Sequence, residues 1–236
     1  MKKKTWLIDI GNSTIAYCKK SNATLSSTNY LKTKLFDKSK KNFPFHKNDT
    51  LIISSVVPSI NSYFSQYPNA YFLSHKSIKG IHINIKKPEE LGADRIANAL
   101  GAFKKFQAAC IIIDSGTALT FCYIDHKGNY QGGTILPGLG IATKALHNYT
   151  EKIPLIPICP QEKIYGKTTE NAVQSGIYHG YYHLIQGLLS EYKKIIPNSL
   201  IIGTGAGLEL YSNQIKLDYY LPALIFTGLS YFEESL

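Results

Sequence analysis

Three aspartates and one arginine stand where a folded chain can do chemistry on an anion. Leu91-Gly92-Ala93-Asp94-Arg95 holds the single arginine of a chain with twenty-five lysines, directly after an acid. A guanidinium presents a planar fork of donors that grips a carboxylate or phosphate through two parallel hydrogen bonds, and an ammonium cannot copy that shape. Arg95 therefore reads as an anion clamp, with a structural ion pair to a distant acid as the other use of such a residue. Asp9 and Asp114 each end an apolar run and are followed by x-Gly and small hydroxyl residues, in Asp9-Ile10-Gly11-Asn12-Ser13-Thr14 and Asp114-Ser115-Gly116-Thr117. An aspartate at the end of a buried strand is desolvated unless it meets a cation or donors, while glycine admits a phosphate close to the backbone and hydroxyls add hydrogen bonds. Asp9 and Asp114 are then natural neighbours of Mg2+ or its water shell, opposed across a nucleotide's phosphates. Either turn alone also fits a plain hairpin with an Asx turn.

The elements around these residues repeat. Residues 5–18 and 110–123 both read as buried strand, glycine turn and return strand. Two copies about a hundred residues apart imply two domains of related topology, 1–109 and 110–236, facing each other with both turns at one cleft. Residues 51–58 read as another buried strand, 60–67 as a short helix, and 70–73 and 80–85 as further strands. From Ala93 the spacing of Ile96, Leu100 and Phe103 is helical, which puts Asp94 and Arg95 in or just before a first turn, where the dipole favours an acid and where Asp94 also fits as a cap. Residues 132–140 read as a Gly/Pro-rich loop, used either for ligand approach or as a tight turn. Residues 153–160 read as an irregular connector, Thr168 or Thr169 opens a long helix to about Lys193, and 199–207 is a strand running into a glycine turn that suits an adenosine.

Charge and cysteine usage narrow the classes. The net charge is +10, and residues 1–50 carry +8 of it. Lys32, Lys34, Lys38, Lys40, Lys41 and Lys47 fall in a polar stretch that reads as a solvated edge, so nucleic-acid binding is not expected, while anionic small substrates are drawn in by such a field. Cys18, Cys110, Cys122 and Cys159 lack ligand spacing for zinc or a disulfide framework and are expected to be buried thiols. No signal-peptide core and no membrane-length run occurs, which implies a cytoplasmic address and no membrane partner. Two tempting motifs fail. Tyr165-Gly166-Lys167-Thr168 mimics the end of a P-loop but has Gln161 at its first glycine, and Gly203-x-Gly205-x-Gly207 has Leu208 in place of the third dinucleotide glycine.

Asp9–Ser13, Gly92–Arg95, Asp114–Thr120, Gly132–Gly138 and Gly166–Ala172 occur in the order seen in type III pantothenate kinases, a family the chain resembles from about residue 6 to residue 205. The resemblance implies an α/β fold of two RNase H-like (actin-like ATPase) domains, with mixed sheets flanked by helices. It implies ATP-dependent phosphorylation of the primary hydroxyl of pantothenate, the first step toward coenzyme A. Asp94 resembles the family's proton acceptor, and Gly92, Ala93 and Arg95 its pantothenate-binding segment. Asp9, Ile10, Gly11, Asn12, Ser13, Thr14, Ile15 and Ala16 look like the first phosphate turn, and Thr117 an ATP-contacting threonine. Asp114 matches a ligand of a monovalent cation, K+ or NH4+. Thr169 matches a threonine reaching pantothenate from the neighbouring subunit, which implies a homodimer. Departures are Ile85 where a tyrosine usually packs on pantothenate, Thr168 for asparagine, Ser13 for threonine, and Ala206 in the last glycine turn. A non-catalytic accessory protein of the same family, or a kinase for another small hydroxy acid, are the alternatives.

Overall fold

The computed structural model describes residues 3–22, 24–39 and 43–236, so Lys40 and Lys41 of the lysine stretch lie outside the described residues. Its contacts divide the chain into two compact units. The first comprises residues 1–107, 126–131 and 223–236, and the second 108–125 and 132–222. The last fourteen residues and a short segment after Asp125 thus group with the first unit.

In the first unit β1 (Thr5–Ile10) pairs antiparallel with β2 (Thr14–Ser21), which also pairs with β3 (Thr24–Leu25) and β4 (Asn29–Lys32). On its other side β1 runs parallel to β5 (Thr50–Ser55), with Asp9 opposite Ser54. Helix α1 (Pro58–Phe64) leads to β6 (Ala70–Phe72), parallel to β5, and a two-residue strand β7 (His82–Ile83) follows. Alternation sends Trp6, Ile8, Ile10, Leu51 and Ile53 into one core with Phe43, Phe45, Ile60 and Phe64, as a period of two requires. Leu7 and Ile52, buried at 0 % exposure on the opposite face, make β1 and β5 apolar on both sides, the signature of strands covered by helices.

That cover is α2 (Ala93–Phe106) with the C-terminal helix α5, residues Leu224–Glu234, which pack on each other and on β5. Their close approach depends on glycine. A Cβ on Gly101 would stand 2.8 Å from the Leu224 carbonyl and 2.9 Å from the Gly228 nitrogen, and one on Gly228 would overlap the Ala97 carbonyl. Gly228→Ala is expected to lower stability by about 2 kcal/mol by prising the helices apart, seen as a fall in the urea midpoint; an unchanged midpoint would show that the crossing relaxes at no cost.

The second unit repeats the plan. Strand β8 (Cys110–Ser115) pairs antiparallel with β9 (Ala118–Ile124) and parallel with β11 (Leu200–Thr204), placing Thr204 opposite Asp114. β10 (Asn129–Pro137) borders β9, and β12 (Tyr219–Tyr220) is parallel to β11. Helices α3 (Leu139–Asn148) and α4 (Thr169–Ile195) contact each other, and Tyr178, Ile185 and Leu189 of α4 enter a core with Ile111, Ile113, Leu119 and Phe121. Thr168 caps α4, its hydroxyl oxygen accepting from the Asn171 amide at 3.2 Å, which ends the connector with a defined helix start.

Two expectations need correction. Residues 132–137 are strand, not loop: Gly133 lies flush on the Phe121 backbone, where a Cβ would collide, so glycine serves strand packing there. Cys18, Cys110 and Cys122 are buried but Cys159 is exposed, because the connector carrying it packs only at intervals, through residues such as Ile156. Lys32, Lys34, Lys38 and Lys47 are exposed, as a solvated edge requires. Among the described residues no helix is long and apolar enough to cross a membrane.

Candidate active site

At the end of β1 the chain turns tightly, the Gly11 amide donating to the Thr14 carbonyl at 3.0 Å. Asn12 and Ser13 are exposed at the tip, whereas Ile10 and Ile15 are 0 % exposed and belong to the core. Of the eight residues expected to form this phosphate turn, those two offer a ligand only their backbone. Asp9 is half-buried, and its Oδ1 accepts from the Ser54 hydroxyl at 3.0 Å. Register explains the pair, since parallel β1 and β5 set Asp9 beside Ser54. Sequence reasoning missed Ser54; its signal was a hydroxyl closing an apolar strand.

The Gly92–Arg95 segment belongs to the same unit. The Val56 amide donates to the Ile10 carbonyl at 3.0 Å, and a Cβ on Gly92 would lie 3.4 Å from Val56 Cγ1. The residue following β5 therefore touches both the first turn and the start of α2, which brings the Asp9 turn and the Asp94 motif to one end of the β1–β5 pair. Asp94 sits in the first turn of α2, as the spacing predicted, and Ala93 is buried. No side chain caps this helix from Gly92; instead Asp94 Oδ1 accepts from the Arg95 amide at 2.7 Å. Burial pushes the Asp94 carboxyl above its ordinary range, against the Arg95 amide and guanidinium, which pull it down. Desolvation wins because the amides of Arg95 and of Asp94 itself return only part of the hydration the buried carboxylate has lost. The guanidinium carbon of Arg95 lies 5.8 Å from the ring centre of Tyr130, a fully buried residue of the same unit that sequence reasoning also missed; its polar, glycine-rich surroundings give no periodic signal.

In the second unit the Asp114 turn is enclosed by glycines. The Gly116 amide donates to the Ala118 carbonyl at 2.9 Å and the Gly138 amide to the Thr117 carbonyl at 3.0 Å. Gly138 lies against the carbonyls of Gly116 and Thr117 with no room for a Cβ. Gly205 has φ +84°, open to glycine at little cost, and a Cβ there would come 2.6 Å from Asp114 Oδ1. The missing side chain leaves a cradle beside that carboxylate, a fit for a small cation. Thr117 is exposed on the turn, and Thr169 is exposed at the first position of α4. No group of three or more His, Cys, Asp or Glu side chains forms a metal cluster among the described residues. A Mg2+ that keeps waters and phosphate oxygens needs only one or two carboxylates, and Asp9 beside its glycine turn fits that demand.

Each unit therefore carries an aspartate at the end of a strand, a glycine turn, and a hydroxyl residue opposite on a parallel strand. The model of the family described as type III pantothenate kinase matches residues 6–191. A type III pantothenate kinase of Exiguobacterium sp. is 36 % identical over 202 residues, covering 83 % of this chain and 79 % of that protein. A solved Campylobacter jejuni structure, described as of the Baf family of transcriptional activators, has a TM-score of 0.68 at 21 % identity, over 98 % of each chain. MreB5 of Spiroplasma citri bound to AMPPNP has a TM-score of 0.52 at 11 % identity, covering 100 % of this chain and 97 % of that one. At such identities these two likenesses concern the fold, which is the mixed α/β architecture of this ATPase and kinase class. With its model matched over most of the length and a relative above a third identical, the chain belongs to the type III pantothenate kinase family.

Proposed function

We propose that the protein transfers the γ-phosphoryl group of ATP to the primary hydroxyl of pantothenate, the entry step of coenzyme A synthesis. The observation that carries this reading is the Asp94–Arg95 pair at the start of α2, an acid with a raised pKa next to the chain's one guanidinium. Phosphoryl transfer has a loose transition state, so the protein's work is alignment and charge neutralisation, and a carboxylate suffices to accept the hydroxyl proton late in transfer. Asp94 takes that proton, and burial improves it as a base relative to an ordinary aspartate. Arg95 clamps the pantothenate carboxylate, and Gly92 and Ala93 line its approach.

Phosphates are held by the backbone and hydroxyls of residues 9–16 and by Thr117. Asp9 would hold Mg2+, which supplies charge neutralisation on the phosphates, and Asp114 in its cradle would hold K+ or NH4+. A cavity of about 430 Å³ lined by Tyr178, Ala206, Glu209, Leu210 and Gln214 borders the last glycine turn and suits the nucleoside. A homodimer, with Thr169 of the partner subunit completing the pantothenate site, and a cytoplasmic location complete the reading; neither nucleic acid nor membrane is a partner.

Gly92 has a second task in this scheme. A Cβ at 92 would overlap Asp94 Oδ1, so Gly92→Ala is expected to displace the base and lower kcat by about 10-fold with far-UV circular dichroism unchanged; full turnover would show that the carboxylate has room to move. The functional test is ATP consumption by purified protein with Mg2+ and K+ across a panel of pantothenate, sugars and hydroxy acids. Stimulation by pantothenate above all others supports the assignment; stimulation by a sugar alone refutes it.

A further inference from the structure

Arg95 has a long, flexible side chain, and a bidentate grip needs its guanidinium plane held in one orientation before substrate arrives. A neighbour placed for this is the ring of Tyr130, 5.8 Å from the guanidinium carbon and 0 % exposed. Tyr130 is fixed on several sides. Its strand pairs in parallel with β7, Tyr130 opposite Ile83, and its carbonyl accepts from the Asn84 amide at 2.9 Å. The next residue is tied to the same segment, Asn84 Nδ2 donating to Gln131 Oε1 at 2.8 Å. Two residues before Tyr130, Gly128 at φ +82° lies against the Phe103 ring, with space for no Cβ. Residues 126–131 thus lean on α2 at two points, Phe103 near one end and Arg95 near the other, which is why they group with the first unit although the strands on either side belong to the second.

We propose that Tyr130 is a positioning residue: its buried ring face holds the Arg95 guanidinium by a cation–π contact, and so sets the enzyme's preference for a substrate that carries a carboxylate. The proposal rests on the reading of Arg95 as the pantothenate clamp. The π face attracts the cation through its quadrupole and meets the guanidinium from a neighbouring strand that is itself held in place.

The test compares wild type, Tyr130→Phe and Tyr130→Leu with pantothenate and with pantothenol, in which a hydroxymethyl group replaces the carboxylate. Tyr130→Leu is expected to raise the pantothenate KM about 10-fold, leave kcat within about 2-fold, and leave the pantothenol KM unchanged. Tyr130→Phe keeps the ring and is expected to hold the pantothenate KM within about 2-fold of wild type. A merely structural tyrosine would shift both substrates together. Equal KM changes for acid and alcohol in the Leu variant, or a pantothenate KM raised about 10-fold in the Phe variant, would overturn the proposal; the Phe outcome is read against wild type and needs no folded Leu variant. A wild type inert toward pantothenate would instead overturn the function assigned above, which keeps the two failures apart.

Discussion

Asp94→Asn is expected to lower kcat on the order of 10²- to 10³-fold while ATP binding is retained, because only the proton acceptor is lost. Asparagine keeps an oxygen for the Arg95 amide that Asp94 Oδ1 now accepts at 2.7 Å, so the helix start should survive. Two further readings separate a lost base from a damaged fold. The wild-type kcat should fall on the acid side with an apparent pKa above the ordinary aspartate value of about 3.9, since burial raises the Asp94 carboxyl. Stability should move the other way. A carboxyl whose pKa is higher in the folded than in the unfolded state leaves the folded protein holding more protons between the two values, so its contribution is lost as pH rises through the folded pKa. Asparagine removes that cost, and the variant should be at least as stable as wild type at neutral pH. Steady-state kinetics and thermal melts check both, and an unchanged kcat would retire Asp94 as the base.

Arg95→Lys should raise the pantothenate KM by about 10- to 100-fold, the loss of one charge-assisted hydrogen bond and of the planar fork. The charge remains, so kcat and the KM for ATP should change little. The effect should shrink for pantothenol, which offers no carboxylate to grip. A saturation curve for pantothenate identical to that of wild type would show that the guanidinium serves a structural ion pair, the other use open to it.

The parts of the fold that sequence made legible are those written in local chemistry. Strands β1, β5 and β8 are continuous apolar runs, and helix α2 shows its spacing at Ile96, Leu100 and Phe103. The repeat of Asp9 and Asp114 was legible because both turns need the same rare combination of a strand end, an acid and a glycine. What stayed hidden depends on distant residues meeting. Gly133 reads as loop in a run of glycines, yet its reason is the Phe121 backbone beneath it. The C-terminal helix falls with the first unit because Gly101 and Gly228 let two helices touch, a fact no window of sequence contains.

The site divides in the same way. Asp9, Asp94, Arg95 and Asp114 were singled out as candidates through residue type and spacing. Ser54 and Tyr130 were not, since a register and a two-residue strand bring them to Asp9 and Arg95. Ile10 and Ile15 were included in the phosphate turn by position alone, and burial restricts them to backbone contacts.

The most direct measurement is 31P NMR and mass spectrometry of the product after incubating the protein with ATP, Mg2+, K+ and pantothenate. A phosphomonoester on the primary hydroxyl of pantothenate, formed in step with ADP and absent with Asp94→Asn, is the result expected. ATP left intact, or ADP formed with pantothenate unmodified, would contradict phosphoryl transfer to this alcohol.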